Sequence, residues 1–361
     1  MLKGCRIRAV KLGVAGACVV GAVQCAHAQS SVTLYGVLDA SILYTNKSVN
    51  SKTGGNGGSL VALTDAGQQA TRFGMRGVED LGGGMKALFV LESGFSIANG
   101  SFSNGNRNLF GRQAYVGLSS DYGTLTAGLQ YSPFNKASYY TEPANTSFFA
   151  ATPIIGTDLT GVTGEFNQNA LVYTSPEVFG LQGSVMLAMG GQAGDFQAGR
   201  QYSGSLVYNF KSLTLMAGFY SGNPGGPQAT VLPSTVSFVG RELGASYKFG
   251  SLTVRANFST YNVQNSYNAY VYSAGLMYSI TPAVILDGAV YEIRDENNPN
   301  NHALLLSSSV QYLLSKATSV YGQIGSVTNH GTMRFGISVN NGLTEPLGTT
   351  LGVGIGIRHT F

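Results

Sequence analysis

The chain has no tryptophan, and its three cysteines, Cys5, Cys18 and Cys25, all fall within the first 28 of its 361 residues. The remainder can therefore hold no disulfide, no thiolate metal site and no cysteine nucleophile. Charge is sparse and balanced. Of 21 basic and 17 acidic side chains, four basic ones and no acidic one lie in the first 28 residues, so residues 29–361 carry 17 of each sign. A net charge of zero removes the main electrostatic support for nucleic-acid binding. Beyond residue 28 only His302, His330 and His359 remain, scattered, with no metal or Ser/His/Asp spacing. No cofactor or metal is implied, and catalysis has little support; a hydrolase of barrel type would need a triad that is not local in sequence. Long apolar runs are also missing. None after the first 28 residues reaches the length of a transmembrane helix.

The first 28 residues read as a signal peptide. Lys3, Arg6, Arg8 and Lys11 make a basic start, Leu12 to Val23 an apolar run, and Ala26-His27-Ala28 the small residues of a peptidase site. Cleavage is expected between Ala28 and Gln29. A lipoprotein site at Cys25 is disfavoured by the large Gln24 before it.

The chain is rich in glycine, 50 residues, with 20 tyrosines and 18 phenylalanines. Exported, apolar and without membrane helices, it alternates apolar and polar residues segment after segment. In lipid every backbone polar group must be paired, which only helices and closed barrels achieve. The expected fold is an all-β, 16-stranded antiparallel transmembrane β-barrel over residues 29–361. Strands are expected at Val32–Tyr44, Thr71–Glu79, Lys86–Phe95, Phe110–Ser119, Thr124–Tyr131, Ala170–Thr174 and Gln182–Met189. Nine more are expected near 200–209, 212–221, 239–249, 251–262, 269–279, 283–293, 303–313, 317–328 and 350–361. A Gly/Asn-rich stretch runs to about Ala66, and 329–349 is one loop or a loop with a short strand near Met333–Val339. Short turns alternate with longer polar loops, as in outer-membrane barrels. In the last strand Leu351, Val353, Ile355, Ile357, His359 and Phe361 share one face; Gly352, Gly354, Gly356, Arg358 and Thr360 share the other.

The alternation stops from Ser132 to Gln168. This stretch carries Pro133, Pro143 and Pro153, the acids Glu142, Asp158 and Glu165, and the aromatics Tyr139, Tyr140, Phe148 and Phe149. So long a loop is uncommon without a function. It is expected to fold into the lumen and narrow a pore.

SSVTLYGVLDA, TRFGMRGVEDLGGGMKALFVLESGF (71–95), GRQAYVGLSSDYGTLTAGLQY (111–131) and the terminal GIRHTF together resemble the Gram-negative general diffusion porins. The likeness covers essentially the whole chain after the signal peptide. It implies a homotrimer of 16-stranded barrels in the outer membrane, in contact with its lipid and lipopolysaccharide. It also implies an inward third loop and a C-terminal aromatic, Phe361, that the barrel-insertion machinery reads. The chain departs from the family in carrying Leu129 where arginine is frequent, and it lacks an intact Pro-Glu-Phe-Gly in its third loop.

A pore selects by width and by charged rings. Charge on the lipid face is costly, so Phe73 and Met75 outside put Arg72, Gly74 and Arg76 inside. Likewise Lys86 and Glu92 are expected inside, with Phe89, Leu91 and Phe95 outside. Arg112 is placed inside and Tyr115 outside, which turns Val116 and Leu118 inward. Arg358 faces the lumen; Tyr131, Tyr208, Tyr247 and Tyr278 suit the interfacial girdle. The resemblance puts Arg72 and Arg112 at the family's basic constriction wall, with Arg76 and Glu92 beside them. Loop carboxylates among Glu142, Asp158 and Glu165 would face that wall, and each arginine could instead be a structural ion pair. The expected function is passive diffusion of small hydrophilic solutes and ions, leaning toward anions. The alternatives are a substrate-specific porin, signalled by the loop aromatics, and a non-conducting adhesin or structural barrel.

Overall fold

A computed structural model describes residues 31–103, 108–145, 147–150, 165–223, 237–265 and 268–361. The signal segment, with Ala28 and Gln29, lies outside the described residues, as do Pro153 and Asp158. The strands are β1 (Ser31–Thr45), β2 (Leu60–Asp65), β3 (Arg72–Gly82), β4 (Met85–Gly94), β5 (Gln113–Ser120), β6 (Gly123–Tyr131), β7 (Phe166–Thr174), β8 (Leu181–Ala188), β9 (Gln201–Phe210) and β10 (Leu213–Gly222). They continue as β11 (Phe238–Phe249), β12 (Leu252–Val263), β13 (Asn268–Thr281), β14 (Val284–Asp295), β15 (His302–Leu313), β16 (Thr318–Asn329), β17 (Phe335–Ser338), β18 (Gly342–Thr344) and β19 (Gly348–Thr360). One short helix, α1 (Pro133–Ser138), comes after β6.

Every strand but β17 and β18 joins one antiparallel ring. The ring closes at β1. Its first half pairs with β3 from Ser31 to Val37, and its second half lies between β2 and β19. Strands β2 and β3 are thus two pieces of one wall element, and the ring has 16 such elements. The C-terminus seals the seam. The Phe361 amide donates to the Gly36 carbonyl at 3.1 Å, and the Gly36 amide returns the bond at 3.0 Å.

The expected strands are all present. β2 is additional, lying within the Gly/Asn-rich stretch, and the 329–349 segment holds the β17–β18 hairpin. Faces obey the two-residue period. Ile355 is 67% exposed on the outside, while Gly354 and Gly356 face inward under Gln323 and Tyr321. Two face assignments are corrected. Val116 and Leu118 are exposed outside, so Tyr115 points into the lumen beside Glu92. Regular β5 starts at Gln113, so the alternation cannot be counted through Arg112. Tyr131 is buried and belongs to no girdle, because an irregularity between Gly128 and Gln130 reverses the phase of β6.

The break between β2 and β3 is held by one carboxylate. Asp39 is fully buried; its Oδ2 accepts from the Gln68 and Gln69 amides at 2.9 and 2.8 Å, and its Oδ1 accepts from the Tyr321 hydroxyl. Its own amide donates to Thr71 Oγ1 at 3.1 Å. Bonds to a charged acceptor are the strong kind. Asp39→Ala is expected to cost about 3 kcal/mol by orphaning these donors, lowering the temperature at which the folded band disappears in heat-shifted gels.

Candidate functional site

On the inner face β1, β3 and β4 bring Tyr35, Arg72, Arg76 and Glu92 together, and the residue before β5 adds Arg112. In antiparallel register Gly74 lies beside both Tyr35 and Glu92, which sets these side chains on one face. Glu92 is 4% exposed and fully engaged. Tyr35 donates to its Oε2 at 3.0 Å and Arg112 Nε to its Oε1 at 2.8 Å, with Arg72 Nε 3.7 Å from Oε2. Arg112 is buried, donates to the Tyr131 hydroxyl, and lies between the Tyr131 and Phe166 rings at 5.9 and 5.2 Å. It is a structural ion pair more than an open charge.

Arg76 is different. It is exposed and rests over the Tyr35 ring at 5.4 Å. Arg72 is half-buried and also donates to the Ala70 carbonyl at 2.9 Å. Arg358 stands opposite Asp39 across the seam, within electrostatic reach of Arg72. Lys86 is exposed one residue into β4, beside the short turn and away from this cluster.

The described residues within 132–150 lie along the inner face of β9 to β16, whereas Phe166, Asn167 and Gln168 already belong to β7. Ser132 caps α1 by accepting from the Asn135 amide at 3.1 Å, with Pro133 in its first turn. The Phe134 amide donates to Ser203 Oγ at 3.0 Å, and its ring packs against Tyr220 and Tyr261. Beyond the helix, Asn257 donates to Thr141 Oγ1, the Ala144 amide to the Tyr291 hydroxyl and Arg255 to Asn145 Oδ1, at 3.2, 3.1 and 3.2 Å. Further on, the Ala150 amide donates to the Ile337 carbonyl at 2.7 Å.

Glycines on the wall permit this approach. A Cβ at Gly244 would lie 2.1 Å from Thr141 Oγ1, and one at Gly275 2.4 Å from the Pro143 carbonyl oxygen. Neither contact is possible for a larger residue without moving the segment. These glycines face inward, since Leu243 beside Gly244 is exposed outside.

The expected acids separate. Glu142 reaches the opposite wall, where its Oε1 accepts from the Tyr291 hydroxyl and, at 3.4 Å, from the Ala144 amide. Burial pushes it up to about 7, against the pull of Tyr291 and Arg255. Glu165 instead acts electrostatically on Arg112. Thus Glu142 is tied to the wall rather than held facing the arginines. Lys136, absent from the sequence-based site, is the exposed residue of an otherwise buried α1. The capping Ser-Pro at 132–133 was its signal. Tyr139 and Tyr140 are exposed beside it.

A closed antiparallel ring with an apolar outside and a polar inside defines a membrane barrel built to enclose water. The family model described as Gram-negative porin matches residues 15–332. An outer membrane porin protein of Bordetella pertussis is 29% identical over 78% of this chain and 71% of its own length. Outer membrane porin protein 32 of Delftia acidovorans is 27% identical over 95% and 97%. Among solved structures, an anion-selective porin from Comamonas acidovorans superposes with a TM-score of 0.78 at 22% identity, covering 92% of this chain and all of its own. OmpT of Vibrio cholerae in its trimer form gives 0.67 at 13%, covering 92% and 99%. The chain belongs to the Gram-negative porin family. It is an outer-membrane porin, a channel for passive diffusion.

The wall contacts have two measurable outcomes. Gly244→Val should overpack the contact with Thr141 by about 1–3 kcal/mol, loosen the segment and change single-channel conductance, while Gly204→Val, on the outer face, leaves it unchanged. Glu142 has its docked value raised above the ordinary carboxylate value of 4.5. Docking is therefore fully favoured below about 4.5 and weakens as pH rises from there through about 7. Conductance noise measured from pH 4 to pH 8 should increase over that window, and Glu142→Gln should flatten the profile.

Proposed function

We propose that this porin is a homotrimeric channel that passes small anions in preference to cations, with its narrowest part between α1 and the Arg72–Arg76–Arg358 wall. The observation that carries the preference is the unequal exposure of opposite charges on the inner face. The inward acids of the strands along the path are withdrawn: Asp39, Glu92, Glu242 and Asp287 are each 9% exposed or less, while the exposed Asp80 lies at the turn end of β3 opposite Lys86. Glu142 is bonded to Tyr291 and Glu165 lies near Arg112. Cations, by contrast, stand in the open. Arg76 and Lys136 are exposed, and Arg72, Arg255 and Arg358 are half-buried. A passing ion therefore meets positive charge first. The Comamonas acidovorans neighbour is described as anion-selective, and OmpT was solved as a trimer, which supports both parts of the proposal.

Asp158 lies outside the described residues and is kept as a candidate carboxylate facing the arginines. The expected transverse field then rests on Asp158 and Glu165, with Glu142 serving as an anchor. Phe361 closes the seam and, by the same proposal, is also the signal for barrel insertion. The channel works without catalysis. Tyr139 and Tyr140, exposed near Lys136, favour a second possibility, a weak binding step for aromatic or sugar-like solutes. Saturable block of current by one such solute would support it.

The test is the reversal potential under a potassium chloride gradient. The wild type is expected to favour chloride, with conductance rising in steps of three. Removing one open charge next to the path should change the permeability of each ion on the order of fivefold and in opposite directions, as one unit charge at about 4 Å in water contributes about 1 kcal/mol. Arg76→Ala and Lys136→Ala should each move the potential toward cations. Arg112→Ala should mainly lower folded yield, because the buried Glu92 would lose the closer of its two charged partners.

A further inference from the structure

Two of the histidines beyond the signal segment meet across strands. His302 opens β15, and His330 follows the last residue of β16, at the end of the barrel where the longer connections lie. The ladder pairs Ala303 with Asn329, so its next step sets His302 opposite His330. The His330 amide donates to the His302 carbonyl at 2.9 Å. Both side chains are exposed, and their rings stack with centroids 4.2 Å apart and planes at 17°. Among the described residues no hydrogen bond or ion pair engages either ring. His359, at the opposite end of the barrel, shares a hydrogen bond with Thr318 Oγ1 at 2.9 Å.

The surroundings favour a cation. Register places Arg294 beside His302 on its other side. That charge is met by Glu292, whose Oε1 accepts from Arg294 Nε and Nη2 at 2.9 and 2.7 Å. Asp295 and Glu296 then leave the rim acidic. With Glu292, Arg294, Pro299 and His302 they line a polar hollow of about 530 Å³. The pair is also held in place. Asn301, just before His302, accepts from the Thr332 amide at 3.0 Å and donates to Asp295 Oδ2 at 2.9 Å. It thereby ties the β14–β15 connection to the segment after His330.

We propose that His302 and His330 form a site for a divalent transition-metal ion, zinc or copper, on the external rim of the barrel. Neutral imidazole nitrogens suit such ions, whereas calcium and magnesium take oxygen ligands. Two nitrogens bound to one zinc stand roughly 3.3 Å apart. Rings with centroids 4.2 Å apart reach that spacing by turning about the soft Cβ–Cγ torsion. No group of three histidines or carboxylates converges on a metal position among the described residues, so water fills the remaining coordination positions. The ion would clip β15 to the root of the β17–β18 hairpin. That hairpin reaches inward, where its Ile337 carbonyl accepts from the Ala150 amide at 2.7 Å.

The test uses the folded porin in detergent, freed of outer-membrane lipid and carrying no histidine tag. Zinc binding is followed by titration calorimetry, and the bound copper ion by electron paramagnetic resonance. Wild type should bind one ion per chain, with couplings to two nitrogens in the copper spectrum. His302→Gln and His330→Gln should each weaken binding more than about tenfold, since even an outer-shell partner of a metal ligand is worth about 10–100-fold. His359→Gln should bind like wild type, and excess calcium should not compete. Zinc should raise the temperature at which the folded band disappears for wild type but not for the His302 and His330 variants, because an ion that binds only the folded state stabilises it. Heat-shifted gel migration confirms folding of each variant. Equal binding by either variant, coupling to a single nitrogen, competition by calcium, or equal zinc stabilisation of the variants would each overturn the proposal.

Discussion

Backbone pairing around a closed ring is the constraint on which everything else in this porin depends. A strand exposed to lipid cannot leave amides and carbonyls unpaired. The chain meets this by splitting β1 between two partners and by sealing the last residue, Phe361, against Gly36. Closure then fixes which side chains meet lipid and which meet water. Asp39 shows the cost of an interruption. Where the wall element breaks between β2 and β3, a buried carboxylate must supply the acceptors that the missing ladder does not.

Within that ring, the inner face has two kinds of surface. Near β1, β3 and β4 it is crowded with charged and aromatic groups, and the charge is sorted by burial. Glu92 and Arg112 neutralise each other while Arg76 stays in the open. On β10 to β14 it is pared down to glycine where Phe134, Thr141 and Pro143 lie against it, so that these residues rest directly on the wall backbone. The segment is anchored by hydroxyls and amides of the wall. Glu142 is drawn into that anchoring, which leaves Lys136 as the charge that α1 offers to the channel. The proposed anion preference arises from this sorting and not from net charge, which is zero after the signal segment.

Much of this was legible in the sequence. The two-residue period and the short Gly- and Asp-bearing turns located all sixteen wall elements, because both are local signals. The faces of Arg72, Arg76, Glu92 and Arg358 could be read from the cost of charge in lipid. Local counting failed where the backbone leaves the regular strand. Arg112 precedes β5, so Tyr115 came out on the wrong side, and the irregularity after Gly128 reversed Tyr131. β2 escaped notice because six residues within a Gly/Asn-rich stretch carry little period. Glu142 could not be placed at all from sequence, since its partner Tyr291 is 149 residues away.

Everything proposed for the pore requires that the segment after β6 rest against the inner wall in the conducting channel. A disulfide tests this most directly, because the chain has no cysteine beyond residue 25. In a Thr141→Cys, Gly244→Cys variant the two Cβ atoms would start 2.7 Å apart, and a small outward shift brings them to the roughly 3.8 Å that a bridge requires. Single-channel conductance measured before and after oxidation should be the same, with the bridge formed quantitatively. A bridge that fails to form, or one whose formation alters the current and whose reduction restores it, would show that the segment lies elsewhere when the channel conducts.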